Sequence, residues 1–157
     1  MLMNKQRAIS DIMQSLRRIF KAVQQYSEEV LKEFGVTGPQ LWALRTIYIE
    51  GQISMGELSQ RMYLHMSTVS GVVDRLEEKG YVERVRGDSD RRVVKISLTK
   101  AGKRLVQRGP EAAQGKLLHG LESLSQQEVK IIRSSLDKVV RLMEIQDTKA
   151  KFFFSEE

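Results

Sequence analysis

Apolar residues recur along the first part of the chain at the spacing of one helical face. Ile9, Ile12, Met13, Leu16, Ile19, Phe20, Val23 and Tyr26, then Val30, Leu31 and Phe34, make a stripe of about seven turns. Gly35 ends it, as a left-handed C-cap does. A helix of this length exceeds what a small core needs and points to a partner chain. Thr37-Gly38-Pro39-Gln40 reads as a capping box with an early proline. It opens a second helix through Leu41, Trp42, Leu44, Ile47 and Tyr48 that Gly51 stops. Ser54 and Glu57 form another box, opening a short helix to about Met62 with Leu58 inward.

A tight turn over residues 63–66 leads into a helix over 67–79, terminated by Gly80. Two short helices joined this closely suggest a helix-turn-helix. Val69, Val72, Val73 and Leu76 share the face that should meet a core. Strands are expected over 81–86 and 93–98, the second alternating Val94, Ile96 and Leu98 with Lys95 and Ser97. Thr99 is a plausible N-cap for the next helix, and Gly109-Pro110 should kink it into a bent rod. Ser125 and Glu128 make a third capping box. After it, Val129, Ile132, Leu136, Val139 and Met143 fall at 3-4-3-4 spacing, two heptads of a seam made to lie along another helix.

Composition narrows the classes. A chain of 157 residues is one domain, or one domain with a dimerisation extension. With 41% hydrophobic and 29% charged residues, a core is affordable and part of the apolar surface is expected between subunits. The absence of cysteine excludes disulfides, thiolate metal sites and a thiol redox switch. Neither a signal-type apolar stretch at the N-terminus nor any run of membrane-spanning length is visible, so a soluble, cytoplasmic protein is the expectation.

Charge is distributed unevenly. Residues 84–108 hold nine Lys/Arg against two Asp, a net of +7, whereas the whole chain is only +6, so everything else sums to −1. A basic arm on a near-neutral body most commonly meets a phosphate backbone.

The stretch STVSGVVDRLEEKGYVERVRGDSDRRVVKISLTKAGKRL, from Ser67 to Leu105, resembles the winged helix-turn-helix of the MarR (multiple antibiotic resistance regulator) family. The resemblance rests on the T-V-x-x-x-V-x-R-L-E-x-K-G-Y run, on Asp90 and Arg92 placed ahead of Leu98-Thr99, and on the T-x-x-G helix start. The element order around it agrees over nearly the whole chain. It implies a mainly α fold with a small antiparallel β wing. Residues 1–36 and 101–148 would be dimerisation helices, 37–100 the winged lobe and 149–157 a tail. It further implies a homodimer on a palindromic double-stranded DNA operator, and a small aromatic or phenolic ligand bound between dimer helices and lobe.

Under that reading the DNA-contacting candidates are Ser67, Thr68, Ser70, Gly71 and Arg75 on the second helix of the motif, with Arg86, Asp90, Arg91, Arg92 and Lys95 on the wing. Short hydroxyls at a helix start can bond phosphate or base edges without blocking the groove. Ser67 or Thr68 could equally be an N-cap. Gly71 stands where the family often has a basic or long polar residue, so it permits closer backbone approach or offers fewer base contacts. Arg75 then carries specificity or touches phosphate. In the resemblance Arg92 enters the minor groove and Asp90 holds its guanidinium, against the alternative of a solvated turn ion pair. Arg84, Arg86 and Lys95 are backbone contacts or solvated, and Lys100, Lys103 and Arg104 add a diffuse field.

A ligand pocket, if the family geometry holds, would be lined by Tyr26, Trp42, Arg45 and Tyr48 with the Arg17-Arg18 pair, a lining suited to a small aromatic carboxylate. Trp42 as lobe core and the arginines as solvated is an equally direct reading. His65 and His119 have no metal-ligand spacing around them, so no metal or cofactor is expected. The Phe152–Phe154 run is read as docking on a partner helix in preference to a disordered tail. Without a cysteine nucleophile, a convincing Ser–His–Asp set or a Gly-rich phosphate loop, an enzyme is not expected. The expected function is a dimeric, sequence-specific transcriptional regulator, a repressor released by a ligand. A ligand-independent architectural DNA binder or helical interaction module is the alternative.

Overall fold

The computed structural model describes residues 2–86, 94–111 and 113–143. Among these residues seven helices and three strands follow in the order α1 (Leu2–Phe34), α2 (Gly38–Glu50), β1 (Gln52–Ser54), α3 (Met55–Met62), α4 (Met66–Glu78), β2 (Val82–Arg86), β3 (Val94–Leu98), α5 (Lys100–Arg108), α6 (Ala113–Glu122) and α7 (Gln126–Leu142). The capping boxes at Thr37, Ser54 and Ser125 form as their sequences dictate, each hydroxyl accepting from the N3 backbone and each N3 side chain returning to the cap. In the second of these, the Ser54 backbone N–H and hydroxyl hold the Glu57 carboxyl below its ordinary range.

Two elements differ from the sequence reading. The strand β1 was not anticipated. It is three residues long, only Ile53 turns inward, and so the alternation that betrays a strand never develops. It completes an antiparallel sheet in the order β1-β3-β2, with Ile53 opposite Ile96 and Val82 opposite Leu98. The rod after Thr99 is divided instead of bent. Gly109 takes an extended conformation (φ −73°, ψ 153°), as a residue before proline is driven to do, and α5 stops there.

The core lies inside the lobe. Leu41, Leu44 and Ile47 of α2, Leu58 and Met62 of α3, Val69, Val73 and Leu76 of α4, Ile96 and Leu98 of β3, and Leu105 and Val106 of α5 are all buried. Each such side chain contributes about 1.5–3 kcal/mol relative to exposure. Outside it the situation reverses. No residue of α7 is buried, and the seam of Ile132 and Leu136 is open to solvent, as are Ile19 and Phe20 of α1 at 56% and 57% exposure. Val94 is likewise exposed, so the inward alternation of β3 begins only at Ile96.

The T-x-x-G start of α5 has a steric origin. Thr99 donates its N–H to the Tyr81 carbonyl and its hydroxyl to the Gly80 carbonyl, while accepting from Gly102 N–H. These bonds draw the first turn of α5 onto the backbone before β2. A Cβ on Gly102 would lie 2.1 Å from the Tyr81 carbonyl oxygen. Gly102→Ala should therefore destabilise the lobe by about 1–3 kcal/mol or more, the cost typical of overpacking against an unyielding neighbour. Urea denaturation checks it, and an unchanged midpoint would contradict the account.

Candidate nucleic-acid interface

Helix α4 is fixed by its apolar face. Val69, Val73 and Leu76 are buried and Val72 packs at the edge of the core. That leaves Ser67, Gly71, Asp74 and Arg75 exposed, with Thr68 and Ser70 half-buried beside them. Residues 67, 70, 74 and 77 fall on one stripe at helical spacing. The turn before α4 is set by Tyr63, whose φ of 55° is the left-handed value, and by a Leu64 N–H to Ser59 carbonyl bond of 3.0 Å that closes α3.

The start of α4 differs from those of α2, α3, α5 and α7, whose caps all accept with a hydroxyl. Its N-cap is His65, with no side-chain cap hydrogen bond. Ser67 and Thr68 sit inside the first turn, so neither is the cap, and their hydroxyls make no hydrogen bond to another described residue. Around Gly71 a Cβ would meet nothing within 4 Å, so a larger side chain has room there.

The wing is joined to α4 by Arg84. Its Nη2 reaches Asp74 Oδ1 at 2.5 Å and its Nη1 bonds Glu77 Oε2. Arg84 is thus committed to two carboxylates, although its side chain stays 33% exposed. Exposed ion pairs of this kind add only about 0–1 kcal/mol to stability. Arg86 is exposed, whereas Lys95 is half-buried and close enough to Glu57 to help lower its carboxyl. Asp90, Arg91 and Arg92 lie outside the described residues, as does the Phe152–Phe154 run.

The residues suggested for a ligand separate into groups. Tyr26 and Arg45 converge where α5 gives way to α6. Arg45 donates through Nε to the Pro110 carbonyl at 2.9 Å and through Nη2 to the Gly109 carbonyl at 2.5 Å. The Tyr26 phenol lies by the Ala113 backbone N–H, near Arg45 and Glu111. Trp42 packs against the lobe core, and Tyr48 is 44% exposed. Arg17 is exposed, nine residues before Tyr26 on α1, hence about 13 Å away along the axis. A cavity of about 300 Å³ opens elsewhere, between the end of α1 and α5, lined by Glu33, Phe34, Tyr81, Arg104, Leu105 and Arg108 among others.

His119 Nδ1 stands 3.5 Å from Glu111 on the surface. Among the described residues no group of three His, Cys, Asp or Glu could hold a metal ion, and no helix is long and apolar enough to cross a membrane. Sequence reasoning did not foresee the destinations of Arg84 and Arg45. For Arg84 a signal existed: acids at i and i+3 on a helix, then an arginine two residues past the first buried strand position. For Arg45, whose partners are 64 and 65 residues away, there was none.

A helix-turn-helix followed by a β hairpin anchored beside its second helix defines the winged helix-turn-helix class. The MarR family profile matches residues 36–94, and the chain belongs to the MarR family of DNA-binding transcriptional regulators. It is 37% identical over 131 residues to an uncharacterized HTH-type transcriptional regulator of Bacillus subtilis, YsmB, covering 83% of this chain and 90% of that protein. Over 94 residues it is 36% identical to the HTH-type transcriptional repressor MdtR of the same organism, covering 60% of this chain and 61% of MdtR. Among solved structures, a MarR family protein from Bacillus stearothermophilus superposes with a TM-score of 0.54 at 35% identity, covering 88% of this chain and 97% of that one. The family and these relatives are regulators, not enzymes.

The Tyr26 environment gives a pH prediction. Burial raises its pKa most, Glu111 adds to the rise, and the Ala113 N–H and Arg45 oppose it. The fold therefore prefers the neutral phenol. That preference is fully present below the unfolded tyrosine value of about 10 and is lost as pH climbs through the higher folded value. Alkaline unfolding should thus be blunted in Tyr26→Phe. Melting temperatures of both proteins measured from pH 8 to 11 would reveal this, and parallel curves would refute it.

Proposed function

We propose that this chain is a homodimeric, sequence-specific repressor that reads a palindromic operator and is released by a small aromatic anion. The observation that carries the DNA reading is the start of α4, where the N-cap His65 makes no side-chain cap bond and an exposed Ser67 stands with half-buried Thr68 and Ser70 beside the basic wing. Arg75 and Gly71 lie on the same exposed surface. Arg86 and Lys95 would flank the phosphates, and Arg91 and Arg92, with Asp90, would serve the minor groove. The family assignment and the repressor MdtR among the relatives favour negative control.

The homodimer is supported by the open apolar faces of α1 and α7, which no element among the described residues covers. The lobe then runs from residue 37 to the break at Gly109, and α1, α6 and α7 clasp the partner. The Tyr26–Arg45 joint sits on the line between lobe and clasp, where a bound aromatic acid would alter lobe spacing.

Selection of bound fragments from random DNA, read at two salt concentrations, tests the reading. A palindromic consensus with half-sites about one helical turn apart is expected, with affinity falling steeply as salt rises. Fragments without a shared sequence would instead indicate an architectural binder. Arg92→Ala should weaken operator binding with its melting temperature retained, and unaltered affinity in a salt-controlled gel shift would remove that role. Leu136→Asp, which places a charge on the α7 seam, should yield monomers by sedimentation; a persistent dimer would move the interface elsewhere.

A further inference from the structure

We infer that Arg84 is a positioning residue for DNA recognition: it locks the wing to α4 and masks two carboxylates on the DNA-facing stripe, and it does not itself bind phosphate. The inference rests on the DNA reading above and goes beyond it in saying what sets the angle between the two reading elements.

Arg84 stands opposite Ile96 in the β2–β3 ladder, so its side chain leaves the sheet on the face that carries Val82, Ile96 and Leu98. That face covers the lobe core and the flank of α4. On α4, Asp74 and Glu77 are one turn apart and stand on the stripe of Ser67 and Ser70. The two terminal nitrogens of one guanidinium meet one carboxylate each, Nη2 to Asp74 and Nη1 to Glu77. A rigid planar fork engaging two acids fixes an angle as well as a distance, which a flexible ammonium would not.

Two consequences follow. The wing's buried anchors, Val82, Ile96 and Leu98, lie at its base, no further out than the Arg84–Ile96 rung, and among the described residues Arg84 is the ion-pairing brace from that rung to α4. Each strand residue adds about 3.3 Å, so a small rotation about that base displaces the tip by a larger distance. Second, the acids would repel phosphate if left bare. Arg84 balances one of their two charges and draws both toward the sheet.

The experiment compares Asp74→Asn/Glu77→Gln, Arg84→Met and the triple variant with wild type. Fluorescence anisotropy is read on a duplex carrying the selected site and on a scrambled duplex, across a salt series, with a thermal melt for each variant. The double variant is two charges more positive, so simple electrostatics predicts tighter binding to every duplex. We expect instead about a tenfold loss in the ratio of specific to scrambled affinity, with scrambled binding equal or tighter. Arg84→Met should lose the same ratio with its salt slope kept, and the triple variant should be no worse than either parent.

A double variant that gains on both duplexes alike, an Arg84→Met salt slope reduced by about one, or losses that add in the triple variant would each overturn the inference. Should Arg84→Met fail to fold, the isosteric Asp74→Asn/Glu77→Gln comparison decides alone. A wild type that binds no duplex removes the DNA reading and this inference together, whereas wild-type binding with any of the overturning patterns removes this inference alone.

Discussion

The burial of one face of α4 is the constraint from which the rest of the molecule takes its bearings. Val69, Val73 and Leu76 can leave water only by turning toward α2 and the sheet. Because a helix repeats every 3.6 residues, that choice simultaneously decides that Ser67, Gly71 and Arg75 point away. No separate interaction is needed to present them. Rotation of α4 by a quarter turn would expose valines and bury an arginine, and the apolar term forbids it. The wing obeys the same core, since Val82, Ile96 and Leu98 seat the hairpin against it.

The two halves of the chain are held by unlike forces. The lobe closes its own apolar surface. The α1 and α7 helices are built with stripes as regular as those of the lobe but leave them open, with Leu136 55% exposed and Phe20 similar. Amphipathic helices of this kind are completed by another helix, and the 3-4-3-4 spacing of α7 suits one lying alongside. Local backbone chemistry, by contrast, is settled within each element, through hydroxyl caps at Thr37, Ser54, Thr99 and Ser125 and through Gly35 and Gly80 at left-handed φ.

This difference explains what the sequence could disclose. The caps, the helix stops and the inward residues of α4 were legible because their causes lie within four residues of their effects. The strand β1 was not, since its existence depends on pairing with β3, whose residue 96 is 43 positions beyond Ile53. Pro110 was readable as a disturbance, but whether the helix bends or stops turns on the Gly109 conformation and on the Arg45 donors waiting for the freed carbonyls. The basic arm was legible as charge. That one of its arginines is spent on Asp74 and Glu77 became apparent only once β2 and α4 lay side by side.

A continuous helix from residue 100 to 122 would have been a strut of about 34 Å, rigid in torsion because its hydrogen-bond ladder is unbroken. The interruption at Gly109 removes that stiffness, and the guanidinium of Arg45, reaching from α2 to the two carbonyls, restores part of it from outside the strut. The compliance of the linkage between the lobe and the helices that follow Gly109 is thereby entrusted to a side chain instead of a backbone. Such a linkage can be loosened or stiffened by exchange at one position without repacking the lobe, so the placement of the helices beyond it is free to drift in evolution while the hydrophobic core stays as it is.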